Sequence, residues 1–380
     1  MKNLFCIISS LLVLCMAAGC SHSAPDLSEF SRTLYEPRYA AGFRLLGADD
    51  RQSVILETLS PWQGADSVTT RLFIARGGES APEGFDGQVI SDEARRVVVM
   101  SSTYIAMLEA LDRGKRIVGV SGMRFVSSPD VRAGADTIAD VGYDGNINYE
   151  ALLAQNPDLV LLYGTNGASA TEGKLRELGI PYAYMGDYME EDPLGKLEWL
   201  VPMAEITGGR ERAVAVVDSI AARYKSLRRL AALSSQSGPT VMLNTPYRDV
   251  WFMPSATSYM IQLITDAGGR YIYGRNTGTT SEGIDLEHAY LLTSEADVWL
   301  NTGQVKTMGQ LRADLPKFAD VPAVKNGRVY NNNFRTTPGG GNDFYESGAM
   351  APDRILADLI RILRPGLLPD SALTYYHQLR

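Results

Sequence analysis

The sequence predicts an α/β protein of two lobes, joined by one long α-helix and preceded by an extra N-terminal segment of β-strands. Two stretches, 95–178 and 240–363, alternate short apolar strands with helical periodicity, which is typical of parallel sheets covered on both faces. Between them, residues 196–233 keep helical spacing with one break, around Gly208-Gly209. A chain of 380 residues exceeds what one core usually holds, so we expect two domains.

The N-terminal residues 1–20 predict a lipoprotein signal peptide. An uncharged stretch follows Lys2 and is too short for a comfortable membrane span. Residues 17–20 (AAGC) resemble a bacterial lipobox, so we expect Cys20 to become the lipidated first residue of the mature chain. The alternative is a simple signal that is cleaved nearby and leaves Cys20 as a free thiol. Residues 21–38 are then expected to form a polar tether.

The segment 39–90, which opens the first lobe (39–192), predicts short antiparallel strands. Apolar and polar residues alternate around Phe43, Val54 and Leu72, and turn-rich spacers separate these runs. The segment is an addition to the lobe pattern that follows it, and the sequence suggests no function for it.

The two lobes share one local pattern, with the second lobe at 235–380 and the predicted connecting helix at 193–234. Residues 148–150 (NYE) and 285–287 (DLE) each lead a short helix into an apolar strand. The strands predicted in this way are 97–100, 117–120, 159–162, 240–243, 298–300 and 328–330. Two similar halves imply a two-lobed body, and a cleft between lobes is a favoured place for ligand binding.

Composition and motifs exclude several function classes. The net charge of −8 argues against a nucleic-acid partner, which normally needs a basic surplus. Two of the three histidines, His22 and His377, lie near the chain ends, which rules out a metal site built from three or four histidines. No Gly-X-Ser-X-Gly motif occurs, and we expect no enzyme. A hydrolase that uses carboxylates and a surface lipoprotein without a transport role are the alternatives.

Four strings in a fixed order carry a family resemblance: 97–119, then 148–150 with 157–160, then 266–269 (DAGG) and 352–359 (PDRILADL). Together they resemble the periplasmic substrate-binding proteins of ABC importers for iron-siderophores, haem and cobalamin. The resemblance implies two Rossmann-like lobes bridged by one long helix, a small hinge motion on binding and no catalysis. Such a helix resists wide closure because bending it breaks backbone hydrogen bonds, and a bulky ligand suits the resulting preformed cleft.

Two glutamates are implied by the resemblance as contacts to the membrane permease. Glu150 and Glu287 open equivalent helices in the two lobes, where relatives dock on permease arginines. Two charge-assisted contacts far apart would fix the orientation of the complex. The alternative is that each carboxylate only stabilises the N-terminus of its own helix.

The ligand is expected to touch loops that follow strands facing the cleft. The positions carried over from the resemblance are Ser102, Thr103, Tyr104, Tyr143 and Tyr163 in the first lobe, and Trp251, Phe252, Arg335, Asp343 and Phe344 in the second. Aromatic side chains offer a large contact area, and a guanidinium pairs with carboxylate or catecholate groups. The alternative for each aromatic is a packing role, and for Arg335 it is a solvated charge.

We expect the ligand to be a metal chelate, an iron-siderophore first, with cobalamin or haem as alternatives. Asp343 is not followed by the arginine found near it in cobalamin binders, which weakens the cobalamin prediction. No resident cofactor and no protein-bound metal are expected. The expected partners are an ABC permease with its ATPase and a lipid anchor, on a monomer in the periplasm or cell envelope.

Overall fold

The computed structural model describes residues 25–233 and 237–380. The predicted signal peptide 1–20 and the predicted lipidation site Cys20 lie outside the described residues. The chain forms two α/β lobes and a further five-stranded sheet on the first lobe. The predicted fold class is therefore confirmed.

The first lobe contains a fully parallel sheet in the order β12-β11-β6-β7-β8. Its strands are β6 (Val97–Val99), β7 (Ile117–Val120), β8 (Ala139–Asp140), β11 (Leu159–Leu162) and β12 (Tyr182–Tyr184), beside a ribbon of β9 (Gly142–Tyr143) and β10 (Asn146–Ile147). Its helices are α1 (Ser102–Ala110), α2 (Pro129–Ala133), α3 (Tyr149–Ala154) and α4 (Glu172–Glu177). The central strands are apolar throughout because helices cover both faces of the sheet.

The second lobe repeats this architecture with the strand order β15-β13-β17-β18-β19, in which only β19 is antiparallel. Its strands are β13 (Thr240–Leu243), β15 (Arg270–Tyr271), β17 (Val298–Leu300), β18 (Val329–Asn331) and β19 (His377–Gln378), beside a ribbon of β14 (Trp251–Met253) and β16 (Glu282–Ile284). Its helices are α8 (Tyr259–Asp266), α9 (Leu286–Glu295), α10 (Met308–Asp314), α11 (Pro322–Lys325) and α12 (Pro352–Leu363).

The connection between the lobes is three consecutive helices rather than one. They are α5 (Pro193–Glu198), α6 (Leu200–Thr207) and α7 (Arg210–Ala232). Gly208 and Gly209 separate the last two with positive φ angles of 76° and 103°, which a residue with a Cβ rarely adopts. Buried apolar side chains continue from the first lobe through these helices into the second, so the lobes share a core along the connection.

The extra sheet has the order β1-β2-β3-β4-β5, and its strands are β1 (Arg32–Tyr35), β2 (Phe43–Gly47), β3 (Val54–Leu59), β4 (Thr69–Ala75) and β5 (Gln88–Ser91). Pairing is antiparallel as predicted, except that β5 runs parallel to β4. One face packs on the connecting helices, where the rings of Phe43 and Trp199 lie 5.2 Å apart. On the other face, Phe73 lies between Phe30 and Phe85.

The predicted tether 21–38 is wrong for its last residues, because β1 and the segment after it are bound to the protein. The Glu198 carboxylate is fully buried and accepts hydrogen bonds from the backbone N–H groups of Arg38, Tyr39 and Ala40 at 2.8–3.1 Å. It also accepts one from the Tyr35 hydroxyl at 2.6 Å. The carboxylate that satisfies these donors lies far away in the sequence, so local composition could not reveal the contact.

Candidate ligand-binding cleft

The two lobes face each other with the loops that follow the carboxyl ends of their parallel strands, which is the usual ligand side of such sheets. In the first lobe these loops form a depression of about 310 Å³. Its lining residues are Met100, Ser101, Ser102, Thr103, Tyr104, Ser121, Phe125, Tyr143, Tyr163, Asp187 and Tyr188. All five predicted first-lobe positions are therefore brought together in one wall of the cleft.

Those five side chains are not equivalent. Tyr143 is exposed and its ring lies 6.0 Å from that of Phe125, so it is available to a ligand. Tyr163 is half-buried, and burial raises the pKa of its hydroxyl. The Tyr104 side chain is buried, and its hydroxyl donates to the carbonyl oxygens of Leu162 and Met185. The prediction that Tyr104 contacts the ligand is therefore wrong, and its role is packing.

The second-lobe wall is built on the loop after β18. The Arg335 guanidinium contacts the Asp343 carboxylate at 2.9 Å, and Asp343 also accepts a hydrogen bond from the Ser347 hydroxyl at 2.8 Å. The sequence gives Asp343 no neighbouring arginine, but the loop folds back and supplies Arg335. Half of the Arg335 side chain stays exposed, so the guanidinium keeps donors for a ligand.

The prediction for Trp251 is wrong, whereas Phe252 is accessible. Trp251 is fully buried, donates from Nε1 to the carbonyl oxygen of Leu243 at 2.8 Å, and packs on Trp299 and Phe318. Phe252 points to the opposite face of β14 and is 44% exposed. Successive side chains of a strand alternate between faces, so only one of these two neighbours can face solvent.

A deeper pocket of about 200 Å³ lies between the lobes and the connecting helix α5. Its lining residues are Thr103, Tyr188, Pro193, Lys196, Tyr259, Leu263, Phe344, Tyr345, Gly348, Ala349, Pro352 and Ile355. Phe344, a predicted site residue, is largely buried and forms part of this wall. The sequence did not predict Tyr188, Lys196 or Tyr259 as site residues, because no single strand end carries them.

The lobes also touch directly at one end of the cleft, in a contact that we call the clasp: residues 122–128 of the first lobe and 336–346 of the second. The buried Glu346 carboxylate accepts hydrogen bonds from the backbone N–H groups of Ser127 and Ser128 at 2.7 and 2.6 Å. A Cβ on Gly341 would lie 1.8 Å from the Phe125 carbonyl oxygen, so this approach requires glycine. Burial outweighs these hydrogen bonds and raises the pKa of Glu346 to about 7.

The two glutamates implied as permease contacts are both exposed at the starts of their helices. Asn148 caps α3 through the N–H of Ala151, and Asp285 caps α9 through the N–H of His288. Glu287 forms an ion pair with Lys317 at 2.8 Å, and this contact lowers its pKa. Among residues 25–233 and 237–380, Glu150 has no such partner.

Neither of the two histidines in the described part of the chain lines the cleft. His288 packs on the ring of Tyr273, and His377 Nε2 is hydrogen-bonded to Asn333 Oδ1 at a distance of 2.6 Å. Within the described residues, no cluster of histidine, cysteine and acidic side chains is suited to hold a metal ion. No helix in that same part of the chain is long and apolar enough to span a bilayer.

Comparison with known proteins agrees with this architecture. The sequence profile of the periplasmic binding protein family matches residues 97–335, which covers more than half of the chain and both lobes. The chain belongs to the periplasmic binding protein family. The extra sheet, β1 to β5, lies outside the matched residues.

Individual relatives give the same result. An uncharacterized lipoprotein of Methanocaldococcus jannaschii is 27% identical over 86% of this chain and 81% of its own length. An uncharacterized ABC transporter substrate-binding lipoprotein of Bacillus subtilis, YvrC, is 22% identical over 64% of this chain and 74% of its length. The crystal structure of a periplasmic heme binding protein from Pseudomonas aeruginosa superposes with a TM-score of 0.59 at 19% identity, covering 76% of this chain and 98% of that one.

The family and these relatives identify the chain as a substrate-binding protein of the ABC-importer class, associated with the cell envelope. Their names describe binding proteins and lipoproteins, not enzymes. The chain spans most of the length of each relative, and the solved structure shares its fold.

Proposed function

We propose that this protein captures a metal chelate, an iron-siderophore first, in the cleft between its lobes and delivers it to an ABC permease. The observation that carries the proposal is the composition of the cleft: exposed or partly exposed tyrosines from both lobes stand beside cationic side chains. An anionic aromatic chelate offers flat faces for the rings and oxygen atoms for the cations.

The cations come from three elements. The guanidinium of Arg124 lies 4.5 Å from the ring centre of Phe125 at the edge of the first-lobe depression. Arg335 stands on the second lobe, and Lys196 lies on α5 between the lobes. Arginine and lysine near aromatic rings favour ligands that combine negative charge with planar groups.

The connection between the lobes supports a bulky guest. Three helices and a shared apolar core resist wide closure, so a cleft that is already formed must accept the ligand with small movements. A rigid chelate binds such a site with little loss of conformational entropy.

The test is a visible absorption spectrum and native mass spectrum of protein purified from its source, followed by titration with three chelates. Ferric tris-catecholate, haemin and cyanocobalamin are each coloured, and the proposal expects tight binding of the first. A Tyr143→Ala/Arg335→Met variant should bind it at least about tenfold more weakly, since it loses one ring and one cation. Turnover of a substrate, or binding of none of the chelates, would contradict the proposal.

Haem is the second candidate, because the Pseudomonas aeruginosa structure that shares this fold is described as a heme binding protein. Cobalamin is the third. The Arg335–Asp343 pair supplies the aspartate and arginine that the sequence alone did not bring together. The titration separates these candidates directly, since the chelate with the lowest Kd identifies the ligand class.

The proposal includes docking through Glu150 and Glu287, a lipid anchor on Cys20 and a monomeric state. A Glu150→Ala/Glu287→Ala variant should lose uptake and keep its chelate affinity; loss of affinity would contradict the docking role.

The mass of the mature protein should show acylation at Cys20, and a Cys20→Ala variant should be released from the membrane. Light scattering of the unanchored protein should give the mass of one chain.

A further inference from the structure

We propose that the deep pocket around Lys196 is a subsite for one anionic aromatic arm of the ligand, such as a phenolate, a catecholate or an aromatic carboxylate. This inference rests on the proposed function and names the chemistry of one part of the same cleft. It assigns a binding role to Lys196, Tyr188 and Tyr259, which lie on three different parts of the chain.

The pocket is connected to the open cleft and has room for one ring. Thr103 and Tyr188 line both the deep pocket and the first-lobe depression, so the two spaces adjoin. An apolar cavity of about 150 Å³ is enough to hold a benzene molecule. The pocket has about 200 Å³ and is lined mainly by apolar and aromatic side chains, so a ring with one or two substituents fits.

Lys196 is the only charged side chain in the lining of this pocket. Its ammonium contacts the buried Asp187 carboxylate at 3.1 Å, but Asp187 lines the first-lobe depression and not the deep pocket. An ammonium has three donors, and this contact uses one of them. The Lys196 ammonium therefore has donors left for a ligand in the pocket, whereas its partner, the Asp187 carboxylate, lies in the wall of the neighbouring first-lobe depression.

Aromatic rings from both lobes surround that charge. Tyr188 belongs to the first lobe, Tyr259 and Tyr345 belong to the second, and the Lys196 ammonium lies 5.6 Å from the Tyr259 ring centre. Burial raises the pKa of both Tyr188 and Tyr259, so their phenols stay neutral at neutral pH and add no negative charge. A ligand arm in this pocket contacts both lobes and the connecting helix α5 at once, so its binding bridges the two lobes.

The experiment compares small probes that match in shape and differ in charge or aromaticity. Salicylate, its neutral analogue salicylamide, and cyclohexanecarboxylate are titrated separately into the full protein, and Kd is measured by NMR. We expect salicylate to bind about tenfold more tightly than each of the other two, because only salicylate uses both the ammonium and the rings. Equal affinities for salicylate and salicylamide would overturn the proposal.

Two variants locate the binding. Lys196→Met alone would leave the buried Asp187 carboxylate without its partner and destabilise the fold, so Lys196→Met/Asp187→Asn removes the charges together. We expect this double variant to bind salicylate and salicylamide equally, whereas Lys325→Met, at an exposed lysine of α11 outside the cleft, keeps the preference. Ala349→Phe fills the pocket and should abolish salicylate binding. A folded Ala349→Phe protein with unchanged salicylate affinity, or a preference retained in the double variant, would overturn the proposal.

These probes also separate this inference from the proposed function. If ferric tris-catecholate binds the wild-type protein and the double variant equally well, the cleft function stands and the subsite is wrong. If salicylate shows the expected pattern while none of the chelates binds, the subsite stands and the chelate proposal fails.

Discussion

Within the described part of the chain, Glu150 of the first lobe is exposed and has no ion-pair partner, whereas its second-lobe counterpart Glu287 pairs with Lys317 at 2.8 Å. Both residues follow a capping residue in the same repeated pattern, so the sequence gives them equal weight. Under the proposed docking, a permease arginine would contact Glu150 directly but would have to compete with Lys317 for Glu287. Equivalent positions in a repeated pattern therefore need not contribute equally to binding.

The two walls of the cleft also differ in the side chains that line them. The first-lobe wall carries mainly hydroxyl and aromatic side chains, whereas the second-lobe wall carries the Arg335–Asp343 ion pair. Two buried carboxylates, one on the connecting helix α5 and one in the second lobe, also bind segments near the two ends of the described chain. Glu198 binds residues 38–40, and Asp358 binds the backbone N–H groups of residues 374–376.

The largest expected effect concerns residues 35–40, the segment that the Glu198 carboxylate binds. Glu198→Ala leaves three backbone N–H groups and the Tyr35 hydroxyl without their acceptor, and we expect the free energy of unfolding to fall by about 3–5 kcal/mol. Urea denaturation measures this change. Glu36→Ala, an exposed glutamate in the same segment, is the control and should change stability by less than about 0.5 kcal/mol. A loss below about 1 kcal/mol for Glu198→Ala would mean that the segment is only loosely bound.

The next effect concerns the clasp between the lobes. Burial raises the pKa of Glu346 from its ordinary 4.5 to about 7, so the folded protein holds this proton more tightly than the unfolded chain does. The stability contributed by Glu346 is therefore fully present below pH 4.5 and is lost as the pH rises through 7. From pH 5 to pH 8 we expect this carboxyl to lower the free energy of unfolding by about 1–3 kcal/mol.

Glu346→Gln isolates this contribution, because Glu190 and Asp358 also have raised pKa values and add to the slope of the wild-type protein. Urea denaturation at several pH values should give a flatter profile for Glu346→Gln than for the wild type over this range. Glu36→Gln, far from the clasp, should keep the wild-type slope. Parallel profiles for Glu346→Gln and the wild type would show that the clasp carboxyl does not titrate in this range.

The smallest effect sharpens the comparison of the two glutamates. We measure binding to the permease reconstituted in nanodiscs. Glu150→Ala should weaken the affinity more than Glu287→Ala does, because Glu287 is already paired with Lys317 and this ion pair competes with the permease. Lys317→Met releases Glu287 and should strengthen binding by up to about fivefold, the scale of a surface ion pair. If Lys317→Met weakens binding instead, Lys317 itself contacts the permease and the two lobes dock by different chemistry.

The sequence predicted the parts of the cleft that depend on local pattern. Ser102, Thr103 and Tyr163, which the family resemblance implied, follow buried parallel strands, and such strands bring these positions to one edge of a sheet, whereas Tyr143 lies in the ribbon strand β9. The prediction for Trp251 is wrong because it placed this residue in a loop after a strand, whereas Trp251 lies on the short strand β14 with its side chain on the buried face.

Other features depend on contacts between residues that are distant in the sequence. Lys196 lies on a connecting helix that the sequence describes only as amphipathic, and its pocket needs Tyr259 from the other lobe. The Arg335–Asp343 pair requires the loop after β18 to fold back on itself. The sequence does not show that backbone N–H groups meet Glu198 and Glu346 in a buried position, and only the tertiary structure reveals these contacts.

The central claim is that one ligand contacts both lobes at once. Hydrogen–deuterium exchange of the full protein, with and without saturating ferric tris-catecholate, tests it directly. We expect slower exchange in residues 101–104 of the first lobe and residues 343–349 of the second, with little change in β1 to β5. Protection confined to one lobe, or to the extra sheet, would contradict it.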